Sequence, residues 1–574
     1  MSDANLLITE NMDIWTTAIK KRSSQGRGRN KKIELTGIKR LRELILELAV
    51  RGQLVPQDPN DEPASVLLEK IAAEKEQLIK DKKIKKAKPQ PEISVEKMPL
   101  KLPNNWLITR LDDIGITFIG LTYSPKDISD KGIPVLRSSN VQKGKIDLND
   151  LVRVNKDVKE SLLVDNGDLL ICARNGSKAL VGKTAMIKDL QEPMAFGAFM
   201  AIFKCSINSY VEVFLNSPVF RRMLEGVATT TINQITQSNL KSTIIFLPPL
   251  AEQHRIVAKV DELMALCDQL EQQTENSITA HQTLVETLLA TLNNSENPAA
   301  FKKNWTRVAE HFDTLFTTEH SIDQLKQTIL QLAVMGKLIP QNPNDEPASV
   351  LLKKIAAEKE QLIKDKVIKK QKPLPAISEG EKPFELPSGW QWMRLGYSFN
   401  SIISGGTPSK SNPLFWDGDI PWASVKDLGV KKYITSTQDY ITKEGLDNGS
   451  KLADKGDILI CTRMGLGKIT IANIPIAFNQ DLKAVKLTSK LDVEFFLNSF
   501  STLKIKGTGT TVAGIKQEEL LSYVIGLPPQ AEQQRIVKKV DELMTLCDQL
   551  KSRLSQAQTI QLHLADTLVK QSVN

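Results

Sequence analysis

The stretch GSKALVGKT, from Gly176 to Thr184, is where this sequence comes nearest to a catalytic or nucleotide-binding motif. In a phosphate-binding loop four residues separate the first glycine from the Gly-Lys pair, so that consecutive N–H groups wrap the phosphates. Here five residues lie between Gly176 and Gly182, and a related stretch, GLGKIT from Gly465, has one residue in the gap and no threonine directly after Lys468. A strand-turn-strand hairpin with a tolerant loop length fits both stretches. The histidines, His254, His281, His311, His320 and His563, form no H-E-x-x-H pattern or closely spaced metal pair, and the cysteines show no C-x-x-C spacing. A G-x-S-x-G elbow, a glycine-rich fingerprint after a strand and an Asn-Pro-Pro-aromatic motif are all missing. The expectation is a chain with no chemistry, cofactor or metal of its own. A nucleotide-dependent enzyme would rest on the failed loop alone, and would need ATP turnover that Lys183→Ala abolishes.

What the sequence does offer is side chains suited to reading DNA, which needs cations for phosphates and amide, guanidinium or hydroxyl groups for base edges. One set holds Arg137, Ser138, Ser139 and Asn140, then Arg174, Asn175, Lys178 and Lys183, then a polar run with Thr230, Thr231 and Asn233. A second set holds the GGTPSKSN loop with Gly406, Thr407, Ser409 and Lys410, then Ser424 and Lys426, then Arg463 and Lys468, then Thr510 and Thr511. Each residue taken singly is also ordinary turn chemistry on a solvated hairpin. Their clustering in equivalent turns of two different regions is what raises the collective reading.

The elements that must position these turns come from a chain written twice. RELILELAVRGQLVPQDPNDEPASVLLEKIAAEKEQLIKDKKIKK, from Arg42 to Lys86, recurs from Lys326 to Lys370 with about 35 of 45 positions identical. LPPLAEQHRIVAKVDELMALCDQL from Leu247 likewise recurs as LPPQAEQQRIVKKVDELMTLCDQL from Leu527. Between these matching parts lie two inserts, each of about 140 residues, that resemble each other only faintly. A constant frame around variable contents suggests two readers of different targets on one scaffold. Leu41, Leu44, Ile45, Leu48 and Ala49 predict a helix ending near Gly52, and PASVLLEKIAAEKEQLIK predicts a second, charged helix beginning after Pro63. The proline-spaced stretches before Trp106 and Trp390 read as extended linkers. Within the inserts IPVLRSSN, GDLLICARNG and KSTIIFLP, and their partners IPWASVKD, GDILICTRMG and LSYVIGLP, read as strands and turns of two compact α/β domains. Ile256, Val260, Leu263, Cys267 and Leu270, matched by Ile536, Val540, Leu543, Cys547 and Leu550, predict long helices that pack on other helices. The first is expected to run, interrupted near Asn276, to about Leu292, a rod of roughly 60 Å at most.

With 574 residues the chain has room for several domains. Its 76 Lys+Arg against 67 Asp+Glu give a formal charge of +9, which suits an anionic partner without identifying one. No apolar run reaches the 18 or so residues of a membrane span, and the start MSDANLLITENMD is too acidic for a signal peptide, so a soluble cytoplasmic protein is expected. Cys172 with Cys461, and Cys267 with Cys547, fall at matching places in the two copies and read as buried small hydrophobes.

This layout resembles the DNA-specificity subunit of Type I restriction-modification systems over essentially the whole chain. The motifs that carry the likeness are LPNNW and LPSGW before the inserts, GGTPSKSNPLFWDGDIPW, GDLLICARNG and GDILICTRMG, and LPPLAEQHRIVAKVDEL with LPPQAEQQRIVKKVDEL. The first insert departs from the pattern, with ITFIGLTYSPKDISDKGIPVL where the second has the fuller GGTP stretch. The resemblance implies an α+β fold with a pseudo-twofold internal repeat, in which two mixed α/β target-recognition domains are joined by long antiparallel coiled-coil helices. It implies a helical conserved region over 1–105, recognition domains over 106–246 and 390–526, a central helical region over 247–389 and a conserved helix over 527–574. It also implies double-stranded DNA with a bipartite asymmetric target, and two methyltransferase subunits that hold S-adenosylmethionine. Restriction subunits that use ATP and Mg join the larger complex, in a prokaryotic cytoplasm. The competing expectation is a coiled-coil scaffold whose inserts bind proteins, since the charged PASVLLEKIAAEKEQLIKD helices suit protein contacts as well as DNA.

Overall fold

The repeated parts of the sequence become helices in matching pairs. In the first copy α1 spans Thr36–Val50 and α2 spans Ala64–Lys80, followed after the first insert by α3, Leu250–Asn293. In the second copy α4 spans Glu319–Val334, α5 spans Ala348–Lys364, and α6, after the second insert, spans Gln530–Val573. The computed structural model describes residues 8–21, 33–84, 86, 90–93, 102–142, 144–225, 233–429, 431–507 and 514–573.

Local chemistry sets the ends of these helices. Gly52 and Gly336 follow α1 and α4 at φ of +71° and +68°, and a Cβ on either would meet the Cγ of Pro103 at 2.6 Å or of Pro387 at 2.5 Å. Only glycine suits a left-handed turn with a proline of the Leu-Pro motif pressed onto it. Pro63 and Pro347, both extended, precede the first residues of α2 and α5 and start them without losing a helical hydrogen bond.

The chain divides into two compact units, Met1–Ile278 with Gln556–Asn574, and Thr279–Ser555. In the first unit Leu41, Leu44, Ile45 and Leu48 of α1 share a core with Ile256, Val260, Leu263, Cys267 and Leu270 of α3 and with Ala565 near the end of α6. In the second unit Ile322, Leu325 and Ile329 of α4 share a core with Val285 and Leu289 near the end of α3 and with Ile536, Val540 and Cys547 of α6. Thus α3 starts in the first unit and finishes in the second, and α6 does the reverse.

The break expected near Asn276 is absent, and α3 is one helix of 44 residues, about 66 Å long. Polar side chains that could compete with the helix are satisfied along it. Gln272 donates to the Asn276 side chain at 3.0 Å, and the hydroxyls of Thr283, Thr287 and Thr291 each donate to the carbonyl one turn back at 3.1, 2.8 and 2.8 Å.

Both inserts fold on one topology. In the first, an antiparallel sheet has the order Thr184–Met186, Leu169–Cys172, Met200–Lys204, Ile116–Ile119. A second sheet places Ile128–Leu136 between Ala195–Phe196, to which it is parallel, and Val152–Val154, to which it is antiparallel. In the second insert the corresponding order is Ile469–Ala472, Ile458–Cys461, Leu482–Leu487, Phe399–Ser404, with Tyr433–Ile434 added at the edge. Its other sheet places Trp416–Ala423 between Ile476–Phe478 and Asp439–Ile441, with Lys451–Ala453 added beyond Ile476–Phe478. Each insert opens and closes on a single antiparallel ribbon, Leu107–Arg110 with Ile244–Leu247 and Gln391–Arg394 with Val524–Leu527, so entry and exit strands leave together into the frame.

Among the described residues no helix is long and apolar enough to cross a membrane, and no group of three or more His, Cys, Asp or Glu is placed to hold a metal ion.

Candidate nucleic-acid interface

A buried polar knot joins each insert to the frame. Trp106, from LPNNW, donates its Nε1–H to Glu252 at 2.9 Å, and Gln57 donates to the other oxygen of that carboxylate at 2.6 Å. Arg255, one turn further along α3, forks onto Asp61 at 3.2 and 2.5 Å. The second copy repeats this with Trp390 on Glu532 at 3.0 Å and Arg535 on Asp345. Burial pushes the Glu252 and Glu532 carboxyls up, against the hydrogen bonds that favour the charged form, while the guanidinium of Arg255 holds Asp61 below the usual carboxylate range. Three motifs distant in sequence, QDPNDEP, LPxxW and AEQ-x-RI, therefore meet at one place in each unit and fix the insert's orientation.

From that base the sheets carry the turns singled out in the sequence. In the first unit the backbone N–H of Arg137 donates to the Asn140 side chain at 2.9 Å, and the Asn140 amide donates to the carbonyls of Asp147 and Asp150 at 2.9 and 3.0 Å. Asn140 is buried, so it holds its turn together and has no free edge for a base. Arg137 reaches Asp150 at 3.2 Å, and Ser139 is exposed. The Asn175 amide donates to the Ser138 hydroxyl at 3.1 Å, and the Asn233 amide donates to the Gly176 carbonyl at 3.1 Å. Arg174 and Gln234 form a β-bridge. Arg137 to Asn140, Arg174 to Lys178, and Asn233 with Gln234 thus form one cluster, with Lys178 exposed on it.

The second unit builds the same cluster. Ser424 donates its N–H to Asp427 at 2.8 Å, in the role that Arg137 and Asn140 play in the first, and Arg463 bridges to Gly514 as Arg174 does to Gln234. Lys426 and Arg463 are exposed. In the GGTPSKSN loop, Trp422 donates to the Gly406 carbonyl at 3.2 Å and Trp416 to the Ser409 carbonyl at 3.1 Å. Thr407 is bonded to Gln480, the hydroxyls of Ser409 and Ser411 meet at 2.8 Å, and Lys410 projects into solvent. Thr230, Thr231, Thr510 and Thr511 lie outside the described residues.

Lys183 and Lys468 are placed alike and turned inward. Each ammonium donates to a backbone carbonyl of the neighbouring turn, Val141 at 2.7 Å and Val425 at 3.0 Å, which ties hairpin to turn. The Gly176–Thr184 stretch links two antiparallel strands rather than a strand and a helix, and Thr184 is buried with its hydroxyl on Gly182, so no phosphate cradle forms. The paired cysteines Cys172 and Cys461 are buried in the strands, and burial pushes both thiols up.

Some residues that face these clusters carry no signal in the sequence. Phe199 is 58% exposed beside Arg174, and Met464 is 67% exposed at a φ of +62° beside Arg463. An open groove of about 840 Å³ runs between α1 and the first cluster, lined by Lys39, Arg40, Lys178, Arg221, Asn233 and Gln234 among others. Phe199 lies in the turn between the strands Ala195–Phe196 and Met200–Lys204, where no side-chain periodicity marks it as outward-facing.

A family profile described as the Type I restriction modification DNA specificity domain matches residues 103–280 and again residues 387–557. The chain is 42% identical over 601 aligned positions to the specificity subunit of the Type I restriction enzyme EcoAI of Escherichia coli, covering 99% of both chains. It is 41% identical to the EcoEI specificity subunit of Escherichia coli, again over 99% of both, and 27% identical to the EcoKI specificity subunit of Escherichia coli strain K12, over 80% of this chain and 86% of that one. Two matched domains on a duplicated frame, and relatives this similar from end to end, establish that the chain belongs to the Type I restriction-modification DNA specificity family, as a non-catalytic specificity subunit with two target-recognition domains.

Proposed function

We propose that each recognition domain, 106–246 and 390–526, reads one half of a bipartite asymmetric DNA target, while the frame of 1–105, 247–389 and 527–574 sets the unread gap. The observation that carries this reading is the pairing of one topology with two different turn surfaces. Lysines and arginines such as Lys178, Lys410, Lys426 and Arg463 fix the register on phosphates, and the remaining turn side chains meet base edges. The gap is measured by α3 and α6, and at about 3.4 Å per base pair a helix of about 66 Å bounds it at roughly 19 base pairs.

The frame offers the same protein surface twice. Ser65, Lys70, Ala72, Ala73, Glu76 and Gln77 of α2 are exposed, and six equivalent exposed positions of α5 are identical, Ser349, Lys354, Ala356, Ala357, Glu360 and Gln361, while exposed Glu69 is replaced by Lys353. A merely solvated face had the same freedom to diverge as the inserts, so its constancy supports docking of one kind of partner at two places. Methyltransferase subunits carrying S-adenosylmethionine suit that role, with restriction subunits that use ATP and Mg joining through them, in a prokaryotic cytoplasm.

The experiment is selection of bound fragments from a randomised DNA pool at physiological salt, using the chain with the methyltransferase subunits that co-purify with it. The expected outcome is two short fixed blocks around a spacer of constant length. Salt-labile binding without a motif would overturn the reading in favour of a protein scaffold.

A further inference from the structure

We propose that Arg174 and Phe199 form a base-reading corner particular to the first recognition domain, in which the guanidinium addresses the acceptor edge of a guanine and the phenyl ring packs on the 5-methyl group of a neighbouring thymine. This rests on the reading of the inserts as DNA-recognition domains and names what one of them recognises.

The placement of Phe199 is the starting point. Its carbonyl accepts the N–H groups of Ala173 and Arg174 at 2.9 and 3.0 Å, so its backbone is held firmly at the end of the sheet. The residue is nonetheless 58% exposed, between Phe196 and Met200, which are both buried. A single exposed aromatic residue is ordinary on a protein surface. Here it has company, because the Arg174 guanidinium lies 5.1 Å from the ring centroid. Among the described residues no carboxylate pairs with Arg174, whereas its neighbours Asn175, Ser138 and Asn233 are hydrogen-bonded to one another or to the loop backbone. The ring therefore restrains a cationic fork whose donors remain free, which lowers the ordering cost of a bidentate contact.

Arginine to guanine O6 and N7, and an apolar side chain to the thymine methyl, are the contacts that the major groove offers to this pair. The second domain has half of the arrangement. Arg463 is exposed at the equivalent bridge, but the place of Phe199 is taken by Asp481, which is buried and whose carbonyl accepts the Thr462 N–H at 2.9 Å. The aromatic part of the corner thus has no counterpart at this place in the second domain.

The test uses the full chain in its methyltransferase complex, on the duplex selected from the randomised pool. Each thymine of the first half-site is replaced in turn by deoxyuridine, which removes only the methyl group. The wild-type complex is expected to lose about fourfold in affinity at one such position, the worth of one buried methyl group. Phe199→Ala and Phe199→Leu should each weaken discrimination between thymine and deoxyuridine there, alanine abolishing it. Arg174→Lys should relax the preference for guanine at the adjacent position by about tenfold. All these proteins should read the second half-site unchanged. A wild-type complex that selects a two-block motif yet ignores every deoxyuridine in the first half-site overturns this proposal alone, and needs no variant to fold. A Phe199→Ala complex that keeps the full methyl sensitivity overturns it as well. A wild-type complex that selects no motif overturns the recognition reading itself, and this proposal with it.

Discussion

The two recognition domains share a core strand order and an equivalent cluster of turns, and differ in the side chains and added strands built around it. Gly120 in the first and Gly405 in the second occupy one structural place. A Cβ on Gly120 would meet the carbonyl oxygens of Gly197 and Phe196 at 2.2 and 2.3 Å, and one on Gly405 those of Asn479 and Phe478 at 2.1 and 2.4 Å. Beyond this shared close approach the chains part. The second continues into a loop clamped by Trp416 and Trp422, whose rings meet edge-on at 5.1 Å. The first, with Leu121 buried and a short turn at Pro125–Asp127, has no such clamp among its described residues, and instead exposes Phe199 under Arg174. The lesson is that topology depends on a few positions, namely the apolar strands, one glycine and the frame's polar knot, while the reading surface is free to change on top of it.

Exchanging residues 106–246 for those of a relative with another target is the strongest test of that lesson. One half of the selected DNA sequence should change completely and the other not at all, as read by sequencing the bound fragments. A change in both halves, or in neither, would break the modular comparison.

Next in size is the knot. Trp106→Ala and Trp390→Ala should each cost about 3–5 kcal/mol in urea unfolding, since each removes a buried ring and leaves a buried glutamate short of a donor. Similar losses in the two units are expected, and a unit that tolerates its substitution would show that the frames are not equivalent. Gly120→Ala and Gly405→Ala should cost about 1–3 kcal/mol each, because a methyl group there must push backbone carbonyls apart. If either is neutral, the shared close approach does not hold the sheets together.

The smallest difference lies in the linkers. Glu381, held by the Arg394 fork and by Ser378, has its carboxyl pulled down to about 2 from an ordinary 4.5. A carboxylate lowered in the folded state adds stability that is complete above about pH 4.5 and disappears as pH falls toward about 2. Arg110, the counterpart of Arg394, donates to the Pro91 carbonyl as Arg394 does to that of Pro375, and among the described residues no carboxylate pairs with it. Glu381→Gln should therefore flatten the acid limb of the second unit's unfolding between those two values, as followed by NMR, and leave the first unit's unaltered. An unchanged acid limb in the variant would remove the linker from the list of differences.

Much of the fold could be read from the chain because its signals are local or repeated. Helix periodicity, Pro63 and Gly52 marked the frame helices, and the pairs GDLLICARNG and GDILICTRMG, IPVLRSSN and IPWASVKD marked the same strands in both inserts. Asn276 misled, since an asparagine favours helix ends in isolation but is held within α3 by Gln272 one turn away. The candidate site was legible only as a set of turns. Lys183 and Lys468 looked like free cations and are tied inward, whereas Phe199 gave no sign of its exposure.

By itself, then, the amino-acid sequence determined the duplication, the helical frame, the alternation of constant and variable parts and the family, because each is carried by residue order along the chain. Only the tertiary structure decided that Trp106, Gln57 and Glu252 meet in one knot, that both inserts share a strand order, and which turn side chains face solvent. Those facts depend on long-range strand pairing and on which of many polar groups find internal partners, and neither is encoded in the spacing of any one segment.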